Sequence, residues 1–295
     1  MGLLNFLFNS SKQQSEDKAR DEKEKQFDVL KYDGVRALHS GQVNYAADCF
    51  RHALAIKDDM ETMDYFSLAL VRSGELQEAM EVLEKLADNA PANALLYQRM
   101  AKVAFMMEDY EKMHALCEKA LAMGCEDATI LCLKGNAQVA KGDVVMAIAS
   151  FSKAIALEPT NRDAYLLRAQ TLLRMGDCQG ADADLKVLLA QHAEDEDALL
   201  LKARVAHAQG KDDEAILYYN KVEAINPFCV EVFKERGSIR YAMGDKEGAG
   251  EDARTLLSIS PESIGDVTGQ YSAEGQEGIQ QMLEKCYKAN NPYGF

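Results

Sequence analysis

The chain has 295 residues, 47% hydrophobic and 27% charged, which is enough apolar material to bury a core. Its 48 acidic and 33 basic residues leave a formal net charge of −15, so nucleic acid is not an expected partner because phosphate would be repelled. The apolar residues recur with a helical period over most of the chain and only five prolines interrupt them, which argues against a β-sheet protein.

The first eight residues, MGLLNFLF, are apolar but too short for a membrane span or a signal peptide. They form either a frayed end or a small hydrophobic cap on the first repeat, or else a weak contact with a membrane surface or a partner. Residues 10–26 are almost entirely polar and cannot join a core. They are a solvated helical lead-in or a flexible linker. We favour the linker, because Asp17 and Asp21 form an unfavourable pair four residues apart.

Residues 128–161 contain a unit that recurs along the chain. Gly135 lies where two helices would have to touch, and Gly142 can take the left-handed conformation that ends a helix. Phe151 falls on the apolar face of a second predicted helix, and Pro159 cannot continue that helix.

Four positions of this unit recur in phase along the chain, two of them in all seven copies. The turn position recurs after 33 and then every 34 residues: Gly41, Gly74, Glu108, Gly142, Gly176, Gly210 and Gly244. A small residue stands seven positions earlier in each copy: Gly34, Ser67, Ala101, Gly135, Ala169, Ala203 and Gly237. A larger residue stands nine positions after most of the turns: Phe50, Leu83, Phe151, Leu185 and Tyr219. The closing prolines are Pro91, Pro159, Pro227 and Pro261.

This pattern resembles the tetratricopeptide repeat (TPR), a helix–turn–helix unit of 34 residues with an A-x3-F…P signature. The chain departs from that signature because it has no Trp, and its third copy is the weakest, with Glu108, Met113 and Cys125 in place of Gly, Ala and Pro. The resemblance implies an all-α fold, a right-handed α-solenoid of seven TPR helix-turn-helix repeats with a C-terminal capping helix. The predicted repeats are residues 27–60, 60–93, 94–127, 128–161, 162–195, 196–229 and 230–263.

The repeat pattern stops after Pro261. Residues 264–295 are predicted to be a Gly-rich connection, a capping helix at about 276–289 and an extended tail. The tail is either disordered or bound in a groove, and a homo-oligomer in which it enters a neighbour's groove is one alternative.

No catalytic motif or convergent metal ligand set is present in the sequence, so we predict no cofactor, no metal and no enzymatic activity. Seven Cys, an odd number with no C-x-x-C pair, are expected to be small hydrophobic core residues in a reducing, cytoplasmic compartment. The acidic run at residues 194–197 is expected to complement the dipole at a helix N-terminus.

The resemblance implies that positions 2, 5, 9, 12 and 13 of each first helix line a concave groove. Six cations lie at these positions, beside an apolar group that includes Leu68, Val71 and Phe105. We hypothesise that the groove binds a peptide with acidic and apolar side chains. The alternative is that these cations only pair with neighbouring acids of the chain. The candidate partner-binding residues are Lys31, Leu68, Arg72, Leu95, Gln98, Lys102, Phe105, Met106, Asn136, Val139, Gln170, Arg174, Arg204, His207, Lys234 and Tyr241.

The sequence therefore predicts a protein-interaction scaffold or adaptor with a protein or peptide partner and no integral membrane span. The alternatives are a non-catalytic assembly or regulatory subunit of an enzyme complex, and a protein that self-associates through its C-terminal tail.

Overall fold

The computed structural model describes the backbone of residues 2–260 and the side chains of residues 20–260. Over residues 2–260 the regular secondary structure is helical and contains no strand, which confirms the all-α prediction. The helices are α1 (Gly2–His39), α2 (Val43–Ile56), α3 (Met60–Ser73), α4 (Leu76–Asn89), α5 (Ala94–Met106), α6 (Tyr110–Ala122), α7 (Ala128–Ala140), α8 (Val144–Leu157), α9 (Arg162–Arg174), α10 (Cys178–Gln191), α11 (Glu196–Ala208), α12 (Asp212–Ile225), α13 (Val230–Ala242) and α14 (Lys246–Ile259).

The chain divides into two compact units within α8, which we call unit N (residues 1–153) and unit C (residues 154–295). In unit N each helix from α1 to α6 packs against the helix that follows it, and α9 to α13 do the same in unit C. The first helices of the repeats carry odd numbers. They also touch one another, as α1 does with α3, α5 with α7, and α9 with α11. Within each unit the odd-numbered helices therefore lie side by side.

Helix α1 runs without a break from Gly2 to His39, so residues 10–26 form the helical lead-in and not the flexible linker that we favoured. The sequence explains the helix, because opposite charges four residues apart outnumber the unfavourable pair. These pairs are Lys12–Glu16, Glu16–Arg20, Lys18–Glu22, Arg20–Glu24 and Asp21–Lys25. The Nζ of Lys57, the residue that follows α2, also lies 3.3 Å from Glu24 Oε1, which ties the lead-in to the end of the next helix.

The turn position follows the end of each first helix, as predicted. Its glycines have φ between 73° and 87°, a range open to glycine but unfavourable for other L-residues. Glu108 takes the same left-handed conformation, with φ 57°. The third copy therefore keeps the turn geometry in spite of its unfavourable residue.

The predicted contact between the small and the large position is present. A Cβ atom built on Gly34 would lie 2.6 Å from the Phe50 ring, and one built on Gly135 would overlap the Phe151 ring. Both phenylalanines are fully buried. Glycine at the crossing point thus lets the first and second helices approach until an aromatic ring fills the space between them.

Many helices begin at an Asp or Asn whose side chain accepts a hydrogen bond from a backbone N–H of the first turn. Asp195 Oδ1 accepts from Ala198 N at 3.0 Å at the start of α11, so the acidic run at 194–197 serves a helix N-terminus as predicted. The other caps of this type are Asp59, Asp109, Asp127, Asn161, Asp177 and Asp245.

The predicted Gly-rich connection, capping helix and tail of residues 264–295 lie outside the described residues, as does Pro261. Where the structure describes the closing prolines, Pro91 follows the end of α4, Pro159 the end of α8 and Pro227 the end of α12.

Candidate functional site

The odd-numbered helices are the first helices of the repeats. We define the first-helix face as positions 2, 5, 9, 12 and 13 of these helices, counted from the first residue of each predicted repeat. In unit N this face carries a group of exposed apolar side chains. Leu68 of α3 and Leu95, Phe105 and Met106 of α5 are 40 to 62% exposed. We call these four residues the apolar patch. Large apolar side chains left in water at neighbouring positions are typical of a binding surface.

Helices α3 and α5 are joined beside this patch. The Arg99 guanidinium of α5 forms an ion pair with Asp64 of α3, and its Nη2 donates to the Ser67 hydroxyl oxygen at 2.6 Å. Arg99 does not belong to the predicted site. It fixes the two helices side by side, so that their exposed apolar residues share one surface.

Lys31, a predicted binding residue, is held by acids of its own chain. Its Nζ donates to Asp59 Oδ2 at 3.0 Å and to Glu61 Oε2 at 2.6 Å. Burial of Asp59 opposes ionisation, but hydrogen bonds from Thr62 and Lys31 outweigh it and lower the pKa of Asp59 to about 2. Lys31 thus links α1 to the start of α3, as the alternative interpretation of these cations predicts.

Two cations beside the apolar patch have no ion pair among the described residues. Lys102 of α5 is exposed, three positions before Phe105. Arg72 of α3 is also exposed, and its Nη1 donates to the backbone oxygen of Leu38 at 3.4 Å, a long bond. Both leave positive charge available to a ligand.

Three further predicted residues of unit N are less accessible. Gln98 is buried, and its Nε2 donates to Asp127 Oδ2 at 2.7 Å, the carboxylate that caps α7. Asn136 and Val139 of α7 are half-buried. Gln98 thus connects α5 to α7, and the accessible part of the face in unit N lies on α3 and α5.

In unit C the predicted residues differ in accessibility. Arg204 of α11 forms a bidentate pair with the buried Glu235 of α13, with Nη2 to Oε1 at 2.7 Å and Nε to Oε2 at 3.0 Å. The buried Tyr219 hydroxyl donates to the same carboxylate at 2.8 Å. Arg204 therefore joins α11 to α13 in the way that Lys31 joins α1 to α3.

The other predicted residues of unit C lie closer to solvent. His207 Nδ1 is 2.6 Å from Asp212 Oδ1. Gln170 and Arg174 of α9 are exposed, whereas Lys234 and Tyr241 of α13 are half-buried. Arg174 and Lys234 have no ion pair within the described part of the chain. No large exposed apolar side chain accompanies them on the first-helix face of α9, α11 and α13.

A set of internal cations was missed at the sequence level, although its spacing is visible there. A basic residue recurs every 34 residues at the seventh position of four first helices, and each contacts an acid of a second helix. The pairs are Lys134–Glu118, Arg168–Asp184, Lys202–Asp182 and Arg236–Asp252. The four basic side chains are at most 22% exposed, so the repeated charge stabilises helix packing and does not enlarge the binding face.

Arg236 is the most enclosed of these cations. Its Nη2 lies 2.7 Å from Asp252 Oδ1, and its Nη1 donates at 2.6 Å to both Asn220 Oδ1 and Glu223 Oε2 of α12. Burial raises the pKa of Asp252, while the guanidinium groups of Arg236 and Arg240 act in the opposite direction. The cluster ties α13 to α12 and α14.

The described residues hold no group of three or more His, Cys, Asp or Glu placed to bind a metal ion. Nor does any helix over that part of the chain combine the length and apolar character that crossing a membrane requires. Burial raises the pKa of the Cys117 thiol to about 12, which keeps it protonated and unreactive at neutral pH.

Known repeat sequences match two parts of the chain. Sequence profiles of the tetratricopeptide repeat match residues 128–161 and 166–228. Human tetratricopeptide repeat protein 16 is 22% identical over 267 residues. That alignment includes 77% of this chain but only 30% of the human protein, so the chain is similar to part of a longer relative.

Solved structures with the same fold include proteins of other sequence. A tetratricopeptide repeat protein from Parabacteroides merdae superposes with a TM-score of 0.69 at 17% identity, over 89% of this chain and 99% of that one. YrrB, described as a TPR protein with an unusual peptide-binding site, superposes with a TM-score of 0.50 at 22% identity. Its alignment covers 63% of this chain and 95% of YrrB. At these identities the likeness concerns the fold.

Proposed function

The chain belongs to the tetratricopeptide repeat family, and from that premise we propose that it is a non-catalytic protein-interaction scaffold. We assign the partner contact to the first-helix face of unit N. The partner contributes a peptide segment with apolar and acidic side chains.

The observation that carries this proposal is the apolar patch with two available cations beside it. Leu68, Leu95, Phe105 and Met106 offer apolar area, and removing such area from water on binding favours a complex. Lys102 stands beside this patch on α5 and supplies a charge that a partner carboxylate would complement.

The fold supports a peptide as the ligand, since YrrB shares it and is described as having a peptide-binding site. A row of parallel helices presents side chains at regular intervals, which suits an extended or helical segment. In unit C, Arg174 and Lys234 offer the same charge without a comparable apolar group. We therefore assign them a secondary role in peptide binding.

The thiols support a reducing compartment such as the cytoplasm. Five cysteines of the described region, Cys49, Cys117, Cys125, Cys178 and Cys229, are free. The four buried cysteines, Cys49, Cys117, Cys132 and Cys229, occupy core positions as predicted. Free thiols persist where glutathione and thioredoxin keep cysteine reduced.

A displayed library of random peptides, selected against the purified chain, tests the proposal. We expect enriched sequences to combine acidic and apolar residues. Lys102→Glu should then lower the affinity for an enriched acidic peptide about tenfold, because an attractive charge becomes repulsive. Phe105→Ala should lower that affinity by a similar factor through lost apolar contact. Affinities are measured by fluorescence anisotropy.

Lys85→Glu is the matched control, since Lys85 is exposed on the second helix α4 and the substitution changes the net charge by the same amount. The Lys85→Glu variant should bind the enriched peptide with the same affinity as the unmodified chain. Equal weakening by Lys85→Glu and Lys102→Glu would show a general charge effect and would contradict the assignment to the first-helix face.

A further inference from the structure

The apolar patch of unit N is longer along the helices than across them. On α5 it runs from Leu95 to Met106, eleven residues apart, which at 1.5 Å per residue is a length of about 16 Å. Across the helices it includes only α3 and α5, and neighbouring helices lie about 10 Å apart. Beyond α5, Asn136 and Val139 of α7 are half-buried, and beyond α3, Lys31 of α1 is held by two acids. The accessible surface is therefore elongated parallel to α3 and α5.

Charge and apolar area alternate on this surface. Leu95, Lys102 and Met106 are separated by seven and then four residues, so with 3.6 residues per turn they point within roughly 40° of one another. Leu68 and Arg72 of α3 are one turn apart. Leu68 stands 34 residues before Lys102, and Arg72 stands 34 residues before Met106. Each cation therefore has an apolar residue at the equivalent position of the neighbouring first helix.

The acids of this surface are already paired within the chain. Asp64 of α3 forms an ion pair with Arg99, and Glu61 forms one with a lysine of α1. Among the described residues, Lys102 and Arg72 have no acidic partner. Because the acids are neutralised and the two cations are not, the surface is complementary to a ligand that carries carboxylates.

The two helices have few groups that could bind the backbone of an extended peptide. The backbone N–H and C=O groups in the middle of α3 and α5 pair within their own helix. Gln98 carries the one amide at the face positions of α3 and α5, all of which the structure describes, and it donates to Asp127 at 2.7 Å. An extended peptide would therefore place unpaired polar groups against apolar side chains, which is unfavourable. A helical ligand pairs its own backbone groups.

We propose that the ligand of this surface is an amphipathic α-helix of about three turns that lies along α3 and α5. Its apolar residues contact the apolar patch, and its acidic residues contact Lys102 and Arg72. The inference rests on the proposed peptide binding and adds the conformation and the length of the ligand. A length of about 16 Å corresponds to about eleven residues of helix but only about five residues of extended chain.

Constrained versions of one peptide test the conformation. The starting peptide is a linear sequence enriched from the displayed library, in a library whose peptides exceed three helical turns. A hydrocarbon staple between residues four apart, placed where an alanine scan finds no loss of affinity, fixes the peptide as a helix. It should raise the affinity about fivefold, because less conformational freedom is lost on binding.

Proline substitution is the opposite change. A proline in the middle of the peptide should lower the affinity about tenfold or more, because it interrupts a helix. Proline at the N-terminal residue of the peptide is the matched control and should leave the affinity unchanged, since the first helical position tolerates it. The carbon chemical shifts of an isotope-labelled peptide in the complex report its backbone conformation directly, and we expect helical values.

The length of the ligand gives a second test. A peptide cut to about six central residues could still span the patch as an extended chain, but it has fewer than two helical turns. We expect it to lose about tenfold in affinity or more. Leu95→Ala, at one end of the patch, should lower the affinity for the uncut peptide about fivefold. Val145→Ala, at an exposed apolar position of α8, is the matched control and should have no effect.

Four outcomes would each overturn the helical ligand: full affinity with a central proline, full affinity of the six-residue peptide, a staple that abolishes binding, or extended chemical shifts in the complex. If such a peptide still lost affinity with Lys102→Glu, peptide binding at the first-helix face would stand and only the helical conformation would be wrong. A library that enriches no peptide sensitive to Lys102→Glu would contradict both proposals.

Discussion

Glu108 adopts a backbone conformation that the other turns assign to glycine. The left-handed region costs an ordinary L-residue about 1 to 2 kcal/mol, because Cβ approaches the carbonyl oxygen. We expect Glu108→Gly to raise the free energy of unfolding by about 0.5 to 1 kcal/mol, part of the gain being offset by the greater freedom of glycine in the unfolded chain. The thermal unfolding midpoint provides the measurement.

Gly74→Ala is the opposite substitution at the same place in another repeat. Its φ is 85° and no atom lies within 4 Å of a built Cβ, so only the backbone is affected. The substitution should lower the free energy of unfolding by about 1 kcal/mol. Two substitutions that shift the midpoint in the same direction would contradict this account of the turns.

Gly135 and Phe151 act as a pair, because a methyl group on Gly135 would overlap the ring. Gly135→Ala should therefore cost about 1 to 3 kcal/mol through overpacking. The chain also contains the substituted pair, with Ala169 and Leu185 at the equivalent positions. Adding Phe151→Leu should recover part of the loss, which a double-mutant cycle measures as a favourable coupling energy. A sum of the two single effects would show that the residues do not interact.

At the scale of helices, the contact between α1 and α3 makes stability depend on pH. Asp59 caps α3 and binds Lys31, and its pKa in the folded chain is about 2 against roughly 4 for an unperturbed Asp. A lowered folded pKa means that its contribution is complete above the unfolded value and is lost as the pH falls from about 4 towards 2. The loss accompanies protonation of the carboxylate.

Asp59→Asn isolates this effect, because Asn also caps helices but carries no charge. We expect the variant to be less stable than the unmodified chain by about 1 kcal/mol at pH 6. The difference in unfolding midpoint should shrink as the pH falls below about 4. If the difference in unfolding midpoint stays constant down to pH 3, the lost stability belongs to the helix cap and not to the ion pair.

Helices and their ends were largely predictable, because a Gly turn, a small crossing residue and a large partner each impose a local requirement at fixed spacing. The lead-in within α1 was predicted as a linker because the unfavourable Asp17–Asp21 spacing was weighed without the opposite-charge pairs around it. The positions of the candidate site were predictable too. The ion pairs of Lys31 and Arg204 were not, because their acids lie about 30 residues away in sequence and only helix packing brings them together.

For the whole molecule, the net charge of −15 sets what kinds of partner can approach. We expect no measurable binding to duplex DNA in about 50 mM salt, where electrostatic attraction to phosphate would be strongest. Anisotropy of a labelled duplex measures it, with a basic DNA-binding protein as positive control. An affinity that falls steeply with salt would contradict this expectation by revealing a basic surface.

The similarity to the Parabacteroides merdae protein shows how little of the sequence the fold needs, since 17% identity accompanies a TM-score of 0.69. Turns and crossing points can be satisfied by many residues of suitable size. What remains specific to this chain are the side chains that those requirements leave unconstrained. The apolar patch and Lys102 belong to that group.

The Arg236 cluster makes the order of the repeats matter. Its partners Asn220 and Glu223 belong to the helix before its own, and the residues 34 positions earlier are Lys186 and Leu189. An internal deletion of residues 196–229 would keep every turn and crossing contact in phase, yet it would bring a lysine to the place of the asparagine. The repeats therefore share one backbone design, but they are not interchangeable, because the side-chain contacts between neighbouring repeats differ.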